Sequence, residues 1–90
     1  MNEKQILGET KPRRQVIYEI KEHIGVLSTS SSGWTREVNL VSWNDRPARI
    51  DIRDWDPERR KMSRGIGLNL WEVRKLIELM KDYDLESDAA

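Results

Sequence analysis

The residues best equipped for chemistry are Arg49, Arg53 and Trp55 in the stretch RIDIRDW, with Trp43 shortly before them in VSW. Read as a strand, Arg49, Asp51, Arg53 and Trp55 share one face, while Ala48, Ile50 and Ile52 share the other, because successive strand side chains point to opposite sides. A guanidinium forks onto phosphate oxygens and stacks flat on rings, and an indole is a platform for a base. The Arg/Trp face makes a poor core, so the expectation is a solvent-facing surface that grips a phosphate backbone and stacks bases. The same residue types are enriched in protein–protein patches, and periodicity alone leaves both uses open.

The charge distribution bears on that choice. The chain carries 16 basic and 16 acidic residues, but they are segregated. From Arg46 to Arg64 there are seven basic residues (46, 49, 53, 59, 60, 61, 64) against four acids (51, 54, 56, 58), a local excess of +3. Residues 82–90 hold four acids and no base. A binding field depends on such local arrangement, although a neutral total counts against tight non-specific binding of DNA.

Other chemistry is poorly supported. Asp51, Asp54 and Asp56 suggest a metal-dependent nuclease, yet alternation turns Asp54 away from Asp51, and Asp56 falls in a turn. Asp51 is expected to pair with the flanking arginines and Asp56 to shape its Asp-Pro turn. No nucleophile, base and orienter occur together, so the chain is read as non-enzymatic, without cofactor or small-molecule substrate. His23 is the lone histidine and there is no cysteine, which excludes a disulfide, a thiolate site and, within one chain, a histidine-based metal site. Gly65-Ile66-Gly67 lacks phosphate-loop spacing and its lysine, and is read as a bulge or close backbone packing. Arg59, Arg60, Lys61 and Arg64 read either as a solvated turn or as an extension of the Arg/Trp face. Trp71 is assigned to packing, and Trp34 to a hinge anchor or an extra stacking platform.

The elements that must position these residues follow from period and punctuation. A first strand is expected near Val16–Glu22, continuing past a bend at Gly25, with a serine-rich loop at Ser28–Gly33. A second spans Thr35–Trp43, with Val38 and Leu40 on one face and Asn39, Val41 and Trp43 on the other. After the turn Asn44–Pro47 comes the Arg/Trp strand, then a short fourth strand around Lys61–Leu68. Asn69 and Glu72 form a capping-box pattern that starts a helix. Its stripe of Leu70, Val73, Ile77 and Met80, widened by Leu76, Leu79 and Tyr83, is broader than one small sheet needs. The architecture is therefore α+β: four antiparallel strands and one C-terminal helix covering a single face. Leu76, Leu79, Met80 and Tyr83 are assigned to a two-fold homodimer. Ninety residues bury only roughly 60–65% of their unfolded surface, and dimerisation is a common remedy. Residues 1–14 read as a disordered arm and 84–90 as an acidic tail, either side of a domain at 15–83. The opening residues lack an apolar signal region and no apolar run nears the ~20 residues of a membrane span, so a cytoplasmic location without membrane attachment is expected.

The order VNLVSWN (38–44), RIDIRDWDP (49–57), KMSRGIGLN (61–69) and then an amphipathic helix resembles the single-stranded-DNA-binding domain of the eukaryotic transcriptional coactivator positive cofactor four. EHIGVLS (22–28) and GWTREVNLVSWN (33–44) look closer still to its bacterial YdbC-like branch. The resemblance covers about residues 16–83. It implies a homodimer joined through helices and last strands, with single-stranded DNA in the channel between two sheets. Carried over by position, Trp43 matches the stacking aromatic of the second strand, Arg53 the backbone-gripping arginine of the third, and Trp55 the indole closing it. Arg64 and Arg46 take the places of basic residues. Val41 and Asn44 stand where eukaryotic members have basic residues, so the phosphate grip is either weaker or supplied by Lys21, Arg36 and Arg49; Lys61 is assigned to phosphate neutralisation with Arg49, Arg53 and Arg64. The coactivator's serine-rich arm has no counterpart in residues 1–14. The function implied is largely sequence-independent binding of single-stranded DNA in transcription or in handling exposed strands. Single-stranded RNA and a protein-docking role for the Arg/Trp face stand as alternatives.

Overall fold

A computed structural model describes residues 5–7 and 16–83. Five strands form one antiparallel sheet in chain order: β1 (Gln5–Leu7), β2 (Val16–Thr29), β3 (Thr35–Trp43), β4 (Arg49–Trp55) and β5 (Ile66–Leu68), followed by helix α1 (Leu70–Lys81). The four expected strands and the C-terminal helix are present. β1 is an addition: it pairs with the start of β2, Gln5 opposite Tyr18, within a segment expected to be disordered. The rest of that arm and the acidic tail lie outside the described residues.

β2 is longer than its periodicity suggests because three register breaks, at Ile20/Glu22, His23/Gly25 and Val26/Ser28, interrupt the alternation. A bulge bends a strand and increases its twist, which lets β2 run on to Thr29 and takes in the first two residues of the expected loop. The turn between β3 and β4 places Asn44 and Asp45 at φ 51° and 65°, the left-handed conformations that tight hairpins favour and that asparagine and aspartate tolerate. Asn44 also ties the turn to β2, donating its backbone N–H to the Ile17 carbonyl at 2.7 Å and accepting the Ile17 N–H at 3.2 Å.

The core lies on the face expected to meet solvent. Tyr18, Val41 and Trp55 are its buried apolar residues, with Ile20, Trp43 and Met62 packed against them. Glu37, Asn39 and Asp51 are buried on the same face. The physical reason is the segment after β4. Residues 56–65 form only an isolated bridge, Met62 to Trp55, instead of the longer fourth strand expected. They fold back as a strap over the aromatic face. Gly65 makes the return feasible, since a Cβ there would lie 2.5 Å from the Arg53 Cβ and 2.6 Å from the Ile52 carbonyl oxygen.

The opposite face carries Val38, Leu40, Ile50, Ile52 and Leu68, all half-buried. The helix does not cover it. α1 touches only β4 and β5 and has no buried residue. Asn69 and Glu72 do form the capping box, each side chain taking the other's backbone N–H at 2.9 Å. Local capping chemistry thus starts the helix where expected, while among the described residues α1 packs only against β4 and β5 and buries none of its own.

Candidate nucleic-acid interface

Alternation along β3 and β4 brings Trp43, Arg49 and Arg53 to the aromatic face, and the bond network then separates their roles. Trp43 is half-buried, with its ring 5.5 Å from Tyr18 and the Arg53 guanidinium 4.5 Å above its centroid. Trp43, Arg46, Pro47, Ala48, Arg49 and Asn69 line a concavity of about 360 Å3. Arg46 and Arg49 are exposed and form no ion pair among the described residues. A half-buried indole sharing a concavity with two exposed guanidinium groups can stack a planar ring along its open edge and hydrogen-bond an anion at once.

Arg53 is otherwise engaged. Its Nε and Nη2 each donate to Asp51 at 2.7 Å, and Nη1 donates to the Ser63 carbonyl at 3.2 Å and to the Met62 sulfur at 3.3 Å. A bidentate, charge-assisted pair of this kind fixes a guanidinium plane. Arg53 therefore holds Trp43 and neutralises buried Asp51, where the resemblance implied a backbone grip.

Trp55 is only 1% exposed. Tyr18 packs 5.7 Å from its ring, and the Arg59 guanidinium lies 4.8 Å above it. Its indole N–H is buried without a hydrogen-bond partner among the described residues. The strap encloses this ring, so Trp55 lies in the core where a surface stacking platform was expected. Arg59, read from sequence as part of a solvated turn or an extended basic face, is the strap's main fastener. It donates to Glu37 Oε2 at 2.7 Å, and Glu37 also accepts from Thr35 at 2.6 Å and from Asn39 at 3.2 Å. Burial pushes the Glu37 carboxyl up, but the hydrogen bonds from Arg59, Thr35 and Asn39 outweigh it and hold it below the ordinary glutamate value. His23 Nδ1 lies 2.6 Å from Asn39 Oδ1. Because the Asn39 amide N–H is directed to Glu37, that oxygen accepts, and Nδ1 of His23 carries the proton.

The remaining expected residues are dispersed. Arg36 pairs with Asp54 at 2.8 and 3.2 Å, opposite the aromatic face. Lys21 pairs with Glu19 at 3.4 Å on β2. Lys61 and Arg64 lie exposed on the strap and do not line the Trp43 concavity. Asp56 acts as the turn-former expected of it, accepting the backbone N–H groups of Arg60 and Lys61 at 2.6 and 2.7 Å. Leu76, Leu79, Met80 and Tyr83 are exposed, at 43, 58, 41 and 51%. Sequence reasoning missed Tyr18 and Arg59 as organisers of the site. The one signal available was Glu37 and Asn39 sharing a face with Val41 and Trp43, since buried polar groups demand partners.

A short antiparallel sheet with an aromatic–arginine face, closed by a strap and followed by an amphipathic helix that buries no residue among those described, defines a small α+β sheet domain. The chain belongs to the transcriptional coactivator p15 (PC4) family, which matches it over residues 30–79. An uncharacterized protein of Treponema pallidum (strain Nichols) is 41% identical over 69 residues, covering 77% of this chain and 81% of the relative. The family supports a nucleic-acid-binding, coactivator-like character. No helix among the described residues is long and apolar enough to cross a membrane.

Proposed function

We propose that this chain is a non-enzymatic homodimer that binds single-stranded DNA with little regard to sequence, in transcription or in handling exposed strands within the cytoplasm. The observation that carries the reading is the Trp43 concavity with exposed Arg46 and Arg49 at its rim, in a chain of this family. In this reading Trp43 stacks a base, Arg46 and Arg49 take the flanking phosphates, and Lys61 and Arg64 add charge along the path. Arg53 positions Trp43, and Trp55 supports the sheet beneath it. Dimerisation is supported by the apolar stripe of α1, exposed at Leu76, Ile77, Leu79 and Met80, which a second copy matches.

Titration of oligo-dT, its ribose counterpart and a duplex of the same length, at several salt concentrations, tests this. Single strands are expected to bind more tightly than duplex, with log affinity falling by about 0.7 per neutralised phosphate for each decade of salt. Preference for duplex, or indifference to salt, would reject the reading. Tighter binding of the ribose strand would reassign the ligand to RNA, because stacking and phosphate contacts do not read the 2′-hydroxyl.

A further inference from the structure

Among the described residues Trp71 joins no part of the core. It is 74% exposed, the most exposed large apolar side chain among them. At 100° per residue it points away from the stripe of Leu70, Val73, Ile77 and Met80 and shares a side of the helix with Arg74, Lys75 and Glu78. Its ring therefore lies outside the helix stripe assigned to a second copy. The Arg74 guanidinium lies 5.6 Å from its ring centroid, the same kind of pairing that Arg53 makes with Trp43.

The two tryptophan–arginine pairs are joined by surface. A second concavity, of about 660 Å3, is bounded by Trp71 and Leu70 on the helix and by Leu40, Ile50, Ile24 and the carboxylate-bearing Glu22 on the sheet. It shares Ala48, Arg49 and Asn69 with the Trp43 concavity. Arg49 thus stands at the junction of two adjoining hollows, each with an indole at its wall. Aromatic platforms separated by a cation are what a single strand requires: bases stack on the rings and the backbone crosses the positive charge. An acidic peptide would be served by the cations but not by two separated indoles.

We propose that Trp71, backed by Arg74, is a second base-stacking platform, and that a strand engaged at Trp43 continues across Arg49 to reach it. This rests on the single-strand reading above and lengthens its footprint. The experiment is an anisotropy titration of the full chain with short and long labelled oligo-dT, about 6 and about 20 nucleotides, which bracket common site sizes. Wild type, Trp71→Ala, Trp71→Phe and Trp43→Ala are compared, with sedimentation of each. Trp71→Ala is expected to weaken the long strand roughly five- to hundred-fold while leaving the short one unchanged, and Trp71→Phe to retain most of the affinity. If Trp71→Ala matches wild type at both lengths while Trp43→Ala still weakens binding, the extension is wrong and the primary site stands. If Trp71→Ala converts a dimer to monomers, the ring serves a second copy and the proposal fails. If wild type binds neither strand, both readings fall.

Discussion

Trp43 and Trp55 lie on one face of neighbouring strands, yet a single substitution at each should report opposite things. Trp43 is half-buried at the edge of a concavity, so Trp43→Ala is expected to cost roughly 1–3 kcal/mol of oligonucleotide affinity while the domain stays folded. Trp55 is enclosed by Tyr18, Met62 and Arg59. Trp55→Ala should instead cost ~3–5 kcal/mol of stability, a large share of what a domain this size has. Urea melts beside oligo-dT titrations check both. Equal loss of folding in the two variants would make Trp43 core as well. Arg49→Ala should flatten the salt dependence by about 0.7 in slope, the contribution of one phosphate on a single strand. The alternation of RIDIRDW was legible because strand geometry fixes which side chains share a face. Which face meets water was not, because that depends on a strap whose return is set by Gly65 and by ion pairs distant in sequence.

At the scale of elements, the strap is the part whose closure has a chemical handle. Arg59 reaches a carboxylate on β3, and the Glu37 side chain is only 5% exposed. Its carboxyl lies below its ordinary value because the hydrogen bonds from Arg59, Thr35 and Asn39 outweigh burial, which pushes the other way. A folded-state value below the unfolded one contributes stability above about pH 4.3, and that stability is lost as pH falls through the folded value. Asp54 and Asp56 are also lowered, through hydrogen bonds from Arg36 and from the Lys61 backbone respectively, so acid should loosen the strap and its flanks together. The Glu37 share is isolated by comparing melting temperatures of wild type and Glu37→Gln across roughly pH 3 to 7. The variant should be less stable at neutral pH, and the gap should narrow in acid. A constant gap across the range would mean that the Arg59 contact contributes nothing through charge. Elements governed by neighbours in sequence were legible: Asn69 and Glu72 begin α1 as their spacing requires, and the β3–β4 hairpin turns where Asn44 and Asp45 accept left-handed backbone. The length of β2 and the brevity of β5 were not, since three bulges and a folded-back strap obey tertiary contacts.

For the whole molecule, the decisive feature is apolar surface left exposed among the described residues. Leu70, Ile77 and Leu79 are each about 60% exposed on α1, and Ile66 is 54% exposed on β5. Contiguous apolar surface of this kind marks an interface, and in the proposed dimer a two-fold partner would meet it with the same surface. The subunit's own core is small and partly polar, with Glu37, Asn39 and Asp51 among its buried residues, so assembly should supply much of the stability. The protein is therefore expected to sediment as a dimer and to melt at a temperature that rises with concentration, because mass action stabilises the assembled state. A charge set into the stripe tests which surface is responsible. Leu79→Glu should dissociate the dimer and lower the melting temperature, because an unpaired carboxylate is costly to desolvate, whereas Glu72→Gln at the same helix should change only the cap. The monomer that results should keep the Trp43 concavity but lose the second copy's, so its affinity should fall more for a long strand than for a short one. A wild-type chain that sediments as a stable monomer, with a melting temperature independent of concentration, would overturn the dimer and leave the exposed stripe to another partner.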